Sequence, residues 1–155
     1  MKKIILFVVA ICIVVISCEK DSESNNNEKK IVFLNTILGG CNGEDANNLK
    51  SVTEDFADTI KFTIINNDTL NVFVGLNYVC CAPFDSKTEI INDTLTMTIS
   101  DTCSNSCYCR CMCYYTWDFQ YIDFEKKEYN FIVKLNDPRE DNTIIFKQGI
   151  VDLSK

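Results

Sequence analysis

Cys107, Cys109, Cys111 and Cys113 stand two residues apart in the stretch CSNSCYCRCMCYYTWDFQY, residues 103–121, and sulfur at that spacing has three uses. Thiolates two apart on a bent chain can converge on a soft ion such as copper(I) or zinc, with Cys80 and Cys81 as further ligands. Thiols of depressed pKa can exchange disulfides. That use lacks support, because no Cys-x-x-Cys opens a helix and Arg110 is the only cation near the run. The third use is structural: each sulfur bonds a cysteine elsewhere. The chain has no histidine, which removes Ser-His-Asp and Cys-His chemistry and any imidazole metal site. A carboxylate pair for glycoside hydrolysis has little to work with. Acids fall mostly in turns, and Asp118, the one inside this stretch, reads as a solvated or cross-strand-paired residue.

Strand side chains alternate with a period of two, so the four cysteines would share a face with Tyr115, Trp117, Phe119 and Tyr121. The opposite face, with Tyr108, Arg110, Met112, Tyr114, Thr116, Asp118 and Gln120, is more polar. This pattern predicts one long central strand over 103–121, bent near Tyr114–Thr116, with its odd-numbered face inward. Same-face cysteines sit about 6–7 Å apart, so they should bond outward to other elements and not to each other. Cys80 is the expected partner, across the core.

The N-terminus sets the compartment. Met1-Lys2-Lys3 precedes an apolar run, IILFVVAICIVVI, of signal-sequence length and short of the roughly 20 residues of a membrane span. It ends in Val15-Ile16-Ser17-Cys18, which resembles a bacterial lipobox. The resemblance implies that residues 1–17 are a signal peptide and that Cys18 carries the lipid. EKDSESNNNEKK, residues 19–30, has no apolar residue and predicts a disordered tether; its acidic start resembles the export tags of some outer-membrane lipoproteins of Gram-negative bacteria. Loss of residues 1–17, which contain Lys2 and Lys3 and no acid, moves the formal charge from −7 to −9. An acidic ectodomain argues against nucleic acid as a partner. The basic pair Lys126-Lys127 lies between Glu125 and Glu128 and reads as a solvated turn. With Cys12 in the signal and Cys18 lipidated, Cys41, Cys80, Cys81, Cys103, Cys107, Cys109, Cys111 and Cys113 remain, an even set that predicts a disulfide framework in an exported chain.

Residues 31–155 read as one domain. Strands are expected over 31–38, 59–65, 69–81, 87–91, 94–100, 129–135 and 143–153, besides the cysteine strand. Asn66-Asn67-Asp68 and Asn92-Asp93 close two hairpins, since these residues tolerate positive φ. The similar strings IINNDTLNV and IINDTLTM reflect the same turn solution and not a repeat. Residues 49–58 have no clean period and suit a helical turn or a crossover. About seven to eight strands at hairpin spacing predict an all-β, antiparallel, disulfide-stabilised sandwich. The turn into Tyr129 resembles the tyrosine corner of immunoglobulin-like and fibronectin-type sandwiches, and Trp117 beside sulfur resembles the tryptophan that packs on their disulfide. Asn42, Glu44, Asp45 and Asn47 offer calcium ligands in a glycine-rich loop that does not match the EF-hand pattern and reads more simply as solvated.

The expected function is that of an exported, non-enzymatic binding or structural module, lipid-anchored to the periplasmic or outer face of the outer membrane, with a protein or glycan as ligand and no cofactor. The alternative is a thiolate metal-binding lipoprotein using Cys107, Cys109, Cys111 and Cys113. In its whole outline the chain resembles the short lipoproteins of Gram-negative bacteria, a resemblance that implies the address and no activity.

Overall fold

The computed structural model describes residues 30–41, 57–104, 106–140 and 142–155. Cys18, the signal and tether up to Lys29, the calcium-loop residues Asn42, Glu44, Asp45 and Asn47, and most of 49–58 lie outside the described residues. Eight strands follow in order: β1 (Val32–Gly40), β2 (Thr59–Ile65), β3 (Thr69–Val79), β4 (Phe84–Ile91), β5 (Thr94–Asp101), β6 (Met112–Ile122), β7 (Glu128–Asn136) and β8 (Ile144–Asp152). They form two four-stranded sheets of order β1-β6-β3-β2 and β4-β5-β7-β8, with no helix among the described residues.

Alternation builds the core as the sequence predicts. Leu70, Val72, Val74, Leu76 and Tyr78 of β3 meet Tyr115, Trp117, Phe119 and Tyr121 of β6, and all are buried. The facing sheet supplies Leu95, Met97 and Ile99 from β5 and Tyr129, Phe131, Val133 and Leu135 from β7. Phe84 of β4 stands edge-on against Tyr115 and Trp117 at 4.9 and 5.2 Å, and Phe62 of β2 lies 4.9 Å from Phe131 of β7. With β4 over β6 and β2 under β7, the sheets are offset, and β1 and β8 flank the layered part. Their exposure agrees, since Leu34 and Ile150 are 53% and 67% accessible. Both hairpins close through residues of positive φ, Asn66 and Asn67 in one, Asn92 and Asp93 in the other. Tyr129 is buried, and its hydroxyl accepts a hydrogen bond of 3.0 Å from the Glu125 backbone N–H.

Three expectations are corrected. The sandwich is not wholly antiparallel, because β5 and β7 pair in parallel. The chain leaves β5 for the other sheet, runs back along β6 and returns as β7, and two reversals restore the direction. The cysteine strand is shorter than predicted, beginning at Met112, so Cys113 alone of the four lies on it. Cys80 N–H still donates to the Cys111 carbonyl and Cys109 N–H to the Cys80 carbonyl, each at 2.9 Å, but Cys81 and Ser106 adopt φ of 68° and 49° and the chain turns out of the strand. Two such residues end a strand that alternation alone would continue. The expected bend near Tyr114–Thr116 is absent: β3 and β6 pair without a register shift, and the irregularity falls in β1 between Phe33 and Asn35.

A candidate binding pole held by disulfides

The ends of β3, β5 and β7 and the starts of β4 and β6 meet at one pole of the sandwich, and nearly all the sulfur of the described residues lies there. Cys80 is bonded to Cys111, Cys81 to Cys109 and Cys103 to Cys107, with Cα separations of 5.4, 5.5 and 5.9 Å. Cys80 is thus a ladder partner, as expected, but not across the core. It sits one step beyond the Val79–Met112 pair of adjacent strands, so the bridge lies within one sheet. Cys107 closes a short ring with Cys103, four residues away, contrary to the expectation that every ladder member bonds a separate element. Consecutive Cys80 and Cys81 take separate partners because Cys81 has turned into the left-handed region. Cys41 and Cys113, expected among the paired cysteines, are instead free thiols, both half-buried and neighbours of one another.

Behind the bridged loop lies a polar network that joins the sheets. Asp101, buried at the end of β5, accepts three hydrogen bonds: from the Tyr78 hydroxyl at 3.0 Å, the Tyr108 hydroxyl at 2.9 Å and the Cys103 backbone N–H at 2.8 Å. Asp137, buried after β7, accepts from the Arg139 backbone N–H and Nε at 2.9 and 2.8 Å, and from Nη2. The Arg139 guanidinium lies 4.6 Å from the Tyr78 ring centre and 5.2 Å from that of Tyr108. Tyr78 belongs to one sheet and Asp101 to the other, so the network closes the open end of the sandwich. Burial, with Asp137 and Asp101 at its hydroxyl, raises the Tyr78 pKa far above the ordinary phenol value. Burial likewise pushes Tyr115 up to about 12.

Arg139 beside Asp137 lowers that carboxyl to about 2, against burial, which would raise it. A depressed folded-state pKa contributes stability that is present above the unfolded value and lost as pH falls through the folded one. Stability should therefore drop between about pH 4 and pH 2 by about 1–2 kcal/mol, allowing for the solvent that reaches Arg139. Asp137→Asn should remove that portion of the acid loss in urea melts at pH 2–5. An unchanged pH profile would show that the pair is not formed.

Sequence reasoning missed this network. Asp101, Asp137 and Arg139 fall just outside the expected strands 94–100 and 129–135, and only the fold brings them together. An Asp-Pro-Arg turn was the one visible signal. Asp118, by contrast, is cross-strand paired as expected, accepting from Asn71 Nδ2 at 2.7 Å. Lys127 does more than a solvated turn residue, pairing with Asp93 and Glu125 at 3.1 and 2.8 Å. It borders an open pocket of about 520 Å³ at the opposite pole, also lined by Lys30, Ile31, Ile90, Asn92, Asp93 and Tyr129.

In chemical terms the cysteine-rich pole is a loop crosslinked by three disulfides. Arg110 and Met112 stand exposed beside the bridged cysteines, and Arg139 is half exposed next to Tyr108. A disulfide sulfur is no thiolate, so three of the four candidate metal ligands, Cys107, Cys109 and Cys111, are engaged elsewhere. Among the described residues, no three His, Cys, Asp or Glu side chains are grouped to hold a metal ion. No protein family model, curated protein or solved structure matches this chain.

Proposed function

We propose that the protein is an exported, lipid-anchored, non-enzymatic binding module, tethered through Cys18 to the outer membrane, whose disulfide-held loop between Thr102 and Met112 contacts a protein or glycan partner. One observation carries this reading. The three bridges converge on an exposed loop at the pole farthest from where the tether joins. β1 starts at Val32, beside Ile122 and the Lys127 pole, and ends at Gly40, beside Tyr115 and the cysteine pole. Nine strand residues put the two poles roughly 30 Å apart. The core is built from apolar side chains of both sheets, and besides stabilising the fold the bridges fix the shape of the loop. Fixing a loop before binding lowers the ordering cost on association. Cationic Arg110, exposed at this pole of an acidic chain, favours an acidic or carboxylate-bearing partner.

The test uses the full chain in cells. A photo-crosslinking residue in place of Met112 should capture a discrete partner, and one in place of Ile150, equally exposed on β8, should not. Cys18→Ser should abolish lipid labelling and, with it, the capture. Equal capture from both positions, or none from Met112, contradicts the binding pole; lipid labelling that survives Cys18→Ser contradicts the anchor.

A further inference from the structure

Of the four sheet edges, β1 differs from the rest. Strand β2 carries Lys61, β4 carries Asp85, Lys87 and Glu89, and β8 carries Lys147 and Asp152, whereas VFLNTILGG of β1 has no charged residue. Charges on edge strands oppose unwanted pairing, and β1 lacks that protection. It also takes the tether at one end and is held in the sheet through β6 alone. Any pull on a membrane anchor would reach β1 first and would peel it from β6.

At the far end of β1 lie the two thiols. Gly40 adopts a φ of 58°, a left-handed turn in which a Cβ would strike the Tyr114 carbonyl, and it directs Cys41 N–H onto that carbonyl at 3.2 Å. The turn brings the Cys41 thiol beside that of Cys113 at the start of β6, and both pack against the core rim. Burial, and then the neighbouring thiol, push Cys41 up to about 11.

We propose that Cys41 and Cys113 form a fourth disulfide that latches strand β1 to β6. This rests on the exported-compartment part of the function above. The co-reactant is a disulfide, either of a protein dithiol oxidant or of a low-molecular-weight thiol. One of the two thiols, as thiolate, attacks it, forming a mixed disulfide and releasing the first leaving thiol. The second then displaces the other leaving thiol, so the S–S bond forms, two protons are lost and two electrons pass to the reagent. The latch joins residues 41 and 113, a far longer span than the separations of 31, 28 and 4 in the other bridges. Longer loops gain most from closure in the chain-entropy account. The latch also ends the peeling of β1, since force entering at Val32 would stop at Cys41 and be passed to the central strand β6.

Thiol trapping on intact cells tests the chemistry. Acid quenching and alkylation should leave Cys41 and Cys113 unmodified and recover them as one linked peptide. Alkylation of these two while the other six stay paired overturns the latch alone. Alkylation of all eight overturns the oxidising address as well. The mechanical role is read by amide exchange: in the Cys41→Ser/Cys113→Ser variant, residues 32–40 should exchange roughly tenfold faster than in the latched protein, with β3 unchanged as the folding control. Equal exchange in β1 overturns the role.

Discussion

Truncating Trp117 to alanine is expected to destabilise the domain by about 3–5 kcal/mol, the range for large aromatic deletions in packed cores. Trp117 is fully buried in the central strand of its sheet, stacked on Tyr115 at 6.2 Å and struck edge-on by Phe84. Its Nε1 is buried without a hydrogen-bond partner among the described residues. An unpaired buried donor is a cost, so Trp117→Phe should keep most of the packing, shed that cost and lose only about 1 kcal/mol. Denaturant melts of the two variants check the ratio. Equal losses for Phe and Ala would place the stability in the indole N–H, and a loss below about 1 kcal/mol for Ala would put this face outside the core.

The second large effect comes from the paired bridges and is strongly non-additive. Cys80–Cys111 and Cys81–Cys109 close nearly the same loop, with separations of 31 and 28. Once one is formed, the ends of the other are already held together, and its closure removes little further entropy from the unfolded chain. Removing either bridge by Cys→Ala pairs should cost about 1 kcal/mol or less through the loop, whereas removing both should cost about 3–4 kcal/mol and lower Tm by roughly 10–15 °C. A double-mutant cycle on the oxidised domain measures the coupling. Simple addition of two equal losses would mean that each bridge acts through its own native contacts and not through the shared loop.

How far the sequence reveals this molecule depends on which signals are local. The apolar alternation of Leu70 to Tyr78 and of Leu95 to Ile99 is visible in the chain and names the core correctly, because each strand reports its own buried face. β4 begins earlier than expected because its inward positions include Ser86 and Thr88 between Phe84 and Ile90, and polar residues there mask the period. Thr88 is useful where it stands, meeting the Tyr121 hydroxyl at 3.1 Å. The cysteine run misleads for the opposite reason. Its alternation is real from Cys113 onward, but before Met112 covalent bonds to Cys80 and Cys81 fix the path, and no local propensity encodes a crosslink. The parallel β5–β7 pair and the Asp101–Tyr78–Arg139 cluster depend on where the chain crosses between sheets. They are tertiary facts with no periodicity of their own.

The proposed binding pole depends on its sulfur being bridged, and bridge mapping of natively prepared protein tests this most directly. Alkylation before reduction, followed by peptide mass analysis and metal determination, should return Cys80–Cys111, Cys81–Cys109 and Cys103–Cys107 as linked peptides with no copper or zinc. Four or more alkylatable thiols in the same preparation, accompanied by bound copper or zinc, would contradict it and assign the cysteine run to metal.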